Sequence, residues 1–380
     1  MKDALDVVMA WQLRNPESAT AEGAIEEVRN SKIHGELAAD LVDHFLRLTI
    51  RPLFAKSQHP AVTDSGRKVT TNVLPKRFDM EESEENTKPW KYRDVYALDL
   101  LQWVVRHLNE DLVEQNWHLL VPPLLSVTDD FDTKFKARGC QMVEALLNVT
   151  SPSLLAKTGL GDVFQEALMP CLGYLPTLTP EEESVSLLAS AFPALLALSQ
   201  SAYQPSPATR VSPDQLKERR TAFLDQIMRK GILAAYSHCP EHVKIVDVLL
   251  RNLCTLNQAL GIESVKHLKY ILPMLNTVLS DPFSAAYPPL LLSASKAMQS
   301  VILNAWPRMT ANLGEVLKGL TLCWLRMCDD AGSELVQVKD EAIKAVKMLR
   351  QAVQGECDFD AECTALIDAD ERLGELLKPI

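Results

Sequence analysis

With 380 residues, 47% of them hydrophobic, the chain has ample apolar side chains for two or three compact domains or one elongated array. Only 14 residues are glycine and 6% are aromatic, which disfavours β-sandwich and dinucleotide-binding folds that need many positive-φ turns. A formal net charge of −11 argues against a general phosphate-tracking surface and points weakly to protein partners.

Taken in chain order, Ala4 to Leu13 and Gly35 to Leu53 read as helices. The N-terminus lacks a long apolar stretch and a small-residue cleavage site. No segment reaches the roughly 20 uninterrupted apolar residues of a membrane span, so no membrane partner is expected. From His59 to Lys88 the sequence is polar and reads as a loop, functional or disordered; its acidic run at Asp79 to Glu85 around Ser83 reads as a solvated stretch, with a kinase target or binding tail as the competing use. Helix resumes near Trp90 and continues through Leu108.

Then a pattern repeats. Leu119, Leu120, Leu124, Leu125 and Val127 lie at helical spacing, and Asp129-Asp130-Phe131-Asp132 breaks the run. A second helix follows with Phe135, Cys140, Val143, Leu146 and Leu147 on one face. Similar pairs are predicted at 161–174 with 181–199, 213–236 with 240–260, 264–280 with 285–303, and 312–327 with 334–353. The unit of about 40–47 residues fits a HEAT-type helix pair. One amphipathic pair cannot cover its own apolar face, whereas stacked pairs share a continuous core. The expected fold is all-α, an α-solenoid of HEAT-like helical hairpin repeats. Its expected parts are N-terminal helices at 1–58, a partly disordered polar and acidic loop at 59–89, and repeats at 90–201. A linker at 202–213 leads to further repeats and a capping helix over 214–380.

Chemistry is sparse. His238, Cys239 and His242 are the best metal candidates, but no second cluster completes a four-ligand zinc site. Asp129, Asp130 and Asp132 sit in a loop too short for a calcium site and read as turn and cap residues. The eight cysteines are scattered through apolar helices with no Cys-x-x-Cys, which suits reduced thiols in the cytoplasm and nucleus. No phosphate loop, dinucleotide fingerprint or nucleophile elbow occurs, so no cofactor is expected. His107, Glu114 and His118 leave open a dispersed acid–base site. Ser65-Gly66-Arg67-Lys68 and Lys88-Pro89-Trp90-Lys91 set basic residues near an exposed-looking tryptophan, which suits an interaction anchor; packing of Trp90 against the next helix is the competing reading.

The segments HPAVTDSGRK, KPWK, WHLLVPPLLSVTDDFDTKFKARGCQMVEALL and TGLGDVFQEALMPCLGYLPTLTPEEE together resemble the Tel-two-interacting protein two family, the smallest subunit of the Triple-T co-chaperone complex. The resemblance implies a non-enzymatic helical adaptor that binds the longer solenoid Tel-two-interacting protein one, which in turn holds the Tel-two subunit. Together with the heat-shock protein 90 chaperone, that complex supports folding and assembly of phosphatidylinositol 3-kinase-related kinases. On this reading the repeats from Ile262 to Leu349 dock on the partner, with Trp306 and Trp324 as candidate anchors, core packing being the competing reading for each. Arg67, Lys68, Trp90 and Lys91 form a second contact for kinase clients or other subunits. A HEAT-type scaffold of a transport or phosphatase assembly, or a helical enzyme, are the alternative readings.

Overall fold

The computed structural model describes residues 35–57, 59–63, 65–69, 84–329 and 335–378. The predicted Ala4–Leu13 helix and the acidic run up to Ser83 lie outside them. Among the described residues the chain is helical throughout, with one isolated antiparallel bridge between Val62 and Lys68. It divides into two compact units. The first comprises residues 1–171 and 193–216, the second residues 172–192 and 217–380.

The first unit begins with α1 (Gly35–Phe45) and α2 (Arg51–Phe54), joined through one wide turn at Leu46–Ile50. Two single-turn helices follow, α3 (Glu84–Thr87) and α4 (Pro89–Tyr92). Next come α5 (Tyr96–Arg106), α6 (Glu110–Thr128), α7 (Thr133–Asn148), α8 (Pro152–Thr158) and α9 (Gly161–Leu168). The helix predicted to run unbroken from Trp90 is thus interrupted between α4 and α5. α10 (Glu181–Ser201) carries its C-terminal half into this unit.

Local chemistry sets these boundaries. The Asn109 side chain accepts a 2.8 Å hydrogen bond from the Leu112 N–H, starting α6, and Asp132 accepts one of 2.9 Å from Lys134, starting α7. Lys136 is buried and donates to the Thr128 carbonyl at 2.7 Å, satisfying the end of α6. α6 and α7 pack as a hairpin, α6 also packs on α2 and α9, and α7 packs on α5. Each helix therefore buries one face against its hairpin partner and another against a helix of a neighbouring pair.

The second unit holds most of α11 (Pro213–Ile227), followed by α12 (Ala234–His238), α13 (Val243–Leu260), α14 (Leu268–Ser280), α15 (Pro288–Asn304), α16 (Leu313–Asp329) and α17 (Val336–Ala352). α13, α15 and α17 pack successively in one layer, and α14 and α16 pack in the other. This is the layering of a helical-repeat solenoid, in which successive pairs share one core. The predicted Glu362–Leu377 cap is broken into α18 (Phe359–Ala369) and α19 (Gly374–Leu377). Asp370 causes the break: its backbone is extended, and its carboxylate accepts the Arg372 N–H at 3.0 Å.

By length and composition α10 is apolar enough to cross a membrane. It opens on Glu181, Glu182 and Glu183, and its most apolar window is 61% buried within the protein, as in a core helix.

Candidate interaction surfaces

In the first unit the motifs scattered along the sequence meet one another. The 59–69 loop lies on α6 and α8: Trp117 donates from Nε1 to the Gly66 carbonyl at 3.0 Å, and the Lys68 N–H donates to Thr158 at 3.0 Å. His59 approaches Asp129 at 2.9 Å. Gly66 has φ +69°, and a Cβ there would stand 3.0 Å from the His118 backbone, so this position requires glycine. Lys68 pairs with Asp162 at 2.7 Å, and that hydrogen bond raises the lysine pKa. Arg67 beside it is exposed. Of the two basic residues predicted here as contacts, Arg67 is at the surface, while Lys68 has its head on Asp162.

The Lys88-Pro89-Trp90-Lys91 motif closes over the Asp129–Asp132 turn. The Asp130 carboxylate is fully buried and accepts from Lys91 at 2.7 Å, from Lys88 at 2.9 Å and from the Asp132 N–H at 2.9 Å. Burial alone would raise its pKa; the hydrogen bonds from Lys91, Lys88 and the backbone outweigh it and hold the carboxyl below its usual range. Trp90 is no surface anchor. It is fully buried, stacked on Phe54 at 5.1 Å between ring centres, edge-on to Phe135, and donates to Ser57 Oγ at 3.2 Å. Lys91 is likewise internal, its side chain 7% exposed. The surface group over this cluster is one the sequence reading missed: Phe131, 63% exposed, with the Lys91 ammonium 4.2 Å from its ring centre. Its place in an acidic turn looked like a break in the helix and nothing more.

In the second unit the two predicted tryptophans part company. Trp324 is fully buried, and its Nε1 donates to the Arg372 carbonyl at 2.9 Å, so the C-terminal turn covers it. Its role is core packing. Trp306 is 54% exposed, in the turn just after α15. Leu303, at the end of α15, is 60% exposed, and Ile262, in the turn after α13, is 51% exposed. That turn packs against α15, so the three apolar side chains belong to one edge of the α13–α15 layer.

The residues considered for chemistry are engaged structurally. His238 Nε2 bonds the Pro176 carbonyl at 2.6 Å, Cys239 is buried against the Ala235 carbonyl, and His242 lies 3.7 Å from Glu181. Among the described residues no group of three or more metal-ligating side chains is assembled. His107 stacks on Trp103 and bonds its carbonyl at 2.8 Å. His118 lines a small cleft with Arg51 and Pro122, and burial, then Arg47 and Arg51, lower its pKa. Burial pushes the Cys254 thiol up to about 11 and Cys323 up to about 12, so both stay protonated at neutral pH.

No solved structure matches this chain. A sequence profile of the Tti2 family matches residues 10–286, which include the 59–69 loop, the buried Asp130 cluster and the first repeats of the second unit. The match spans well over half of the chain and ends just before α15. The chain therefore belongs to the Tti2 family, the Tel-two-interacting protein two family of co-chaperone complex subunits.

Proposed function

We propose that this chain is a non-enzymatic scaffold of the Triple-T co-chaperone complex, acting in the cytoplasm and nucleus to support maturation of phosphatidylinositol 3-kinase-related kinases. Its partner is the longer solenoid Tel-two-interacting protein one, through which it meets the Tel-two subunit; heat-shock protein 90 and the kinase clients are reached indirectly. The observation that carries the docking side of this reading is the exposed apolar edge formed by Ile262, Leu303 and Trp306 on a layered helical unit. Large apolar groups left on a surface mark interaction sites, and tryptophan is enriched among the residues that dominate binding energy. Stacked helix pairs hold such an edge in a fixed line, which suits an elongated partner.

The test is affinity purification of the tagged full-length chain carrying Trp306→Ala together with Leu303→Asp. Exposed substitutions of this kind change stability by about 0.5 kcal/mol or less. The double variant should lose about 2 kcal/mol or more of binding energy and fail to recover the other two subunits. Undiminished recovery would remove this edge as the docking surface, and absence of both subunits from the wild-type purification would remove the complex assignment.

A further inference from the structure

A second surface of the α13–α15 layer has a different character. Between these helices lies an open cleft of about 460 Å³. Its floor includes Asp247, 3% exposed, whose two oxygens are both taken: Oδ1 accepts from Ser293 Oγ at 2.6 Å, and Oδ2 pairs with Arg251 one turn along α13. The pairing fixes the Arg251 guanidinium at the cleft while leaving its side chain 62% exposed. Lys296 lines the cleft from α15 and is exposed; no carboxylate lies within 4 Å of it among the described residues, and its charge reaches Glu341 of α17, where it helps lower that carboxyl's pKa. It is the only charged residue of α15. Tyr287 and Leu292, both half-buried, supply apolar wall.

We propose that this cleft binds a short acidic segment of a partner protein that carries one bulky apolar side chain. Arg251 and Lys296, set against the single buried carboxylate of Asp247, leave the cleft lining with a net positive charge on a chain whose net charge is −11. Carboxylates of the segment pair with Arg251 and Lys296, since guanidinium and carboxylate match in a planar, two-bond geometry. The apolar side chain sits against Tyr287 and Leu292. The remaining negative charge of the protein repels long uniform polyanions, so the cleft selects a brief acidic run with an apolar group beside it.

The probe is a fluorescein-labelled peptide of Glu and Asp around a central Phe, titrated with the full-length chain by fluorescence anisotropy. Its control replaces every acid by the corresponding amide. The acidic peptide should bind and the amide peptide should not, with affinity falling as salt rises. Lys296→Glu should weaken binding by roughly tenfold or more, with an unchanged circular dichroism spectrum. Arg251→Lys, which keeps the charge near Asp247 but loses the planar fork, should weaken it less than Lys296→Glu. Equal binding of the amide peptide, or full binding by Lys296→Glu, overturns the proposal. Inorganic pyrophosphate binding more tightly than the peptide, and equally lost in Lys296→Glu, overturns it in favour of a phosphate site.

Discussion

At the scale of single residues, burial separates side chains that share one sequence context. Asp130 belongs to a run that reads as a turn, yet its carboxylate is fully buried between two lysines. Replacing it by Asn leaves Lys91 buried beside a neutral amide, and loss of one partner of a buried pair costs about 3–5 kcal/mol. The pH dependence has a definite sign. Because the folded-state pKa of Asp130 is lowered, its stabilisation is complete above the ordinary carboxylate pKa of about 3.9 and is lost as pH falls through the folded-state value. Urea denaturation should therefore show a large gap between wild type and Asp130→Asn at pH 7 that narrows below about pH 4. A gap that stays constant into acid would mean that ion pairing is not what Asp130 contributes. The sequence marked Asp130 as a turn residue and left Trp90 open between a surface anchor and packing on the next helix; that two segments some 40 positions apart close on each other is visible only in the structure.

Among the helices, close approach is decided by the smallest side chains. A Cβ on Gly139 of α7 would lie 2.6 Å from the backbone nitrogen and Oγ1 of Thr128, at the end of α6. The α6–α7 hairpin therefore packs backbone against side chain at this point, where Lys136 also ties the two helices together. Gly139→Ala improves intrinsic helix propensity by up to about 1 kcal/mol but forces the hairpin apart, and overpacking typically costs 1–3 kcal/mol. The net expectation is a lower melting temperature by differential scanning fluorimetry. An unchanged or raised value would show that the hairpin yields at no cost. Helix locations themselves were largely legible: the predicted 264–280, 285–303 and 334–353 helices correspond to α14, α15 and α17. The C-terminal cap was less so, because a single extended residue, Asp370, splits it.

For the whole molecule, the proposed role makes a surface the functional unit, built in the second unit by the layering of α13, α15 and α17 against α14 and α16. Under the proposed role its work is done by holding partners, so its removal should act on the amount of client protein. Depleting the chain from cells should lower the steady-state level of phosphatidylinositol 3-kinase-related kinases without changing their messenger RNA, as immunoblot and transcript measurement would show. The Trp306→Ala, Leu303→Asp variant should fail to restore them. Kinase levels that hold steady without the chain would sink that role while leaving the family and the fold intact.

What the sequence by itself determined is the class of object. Apolar residues at helical spacing, turn and cap residues such as Asp132, and few glycines specify stacked helices, because these are properties of local backbone chemistry. Its dispersed motifs also carried the family. Only the tertiary structure decided which aromatics face solvent. Trp324 is covered by a turn 48 positions away and Trp90 by a helix 36 positions upstream, whereas Trp306 has about half its surface open. Helical periodicity states which side of a helix is apolar; whether another segment arrives to cover that side depends on long-range packing, which no local pattern encodes.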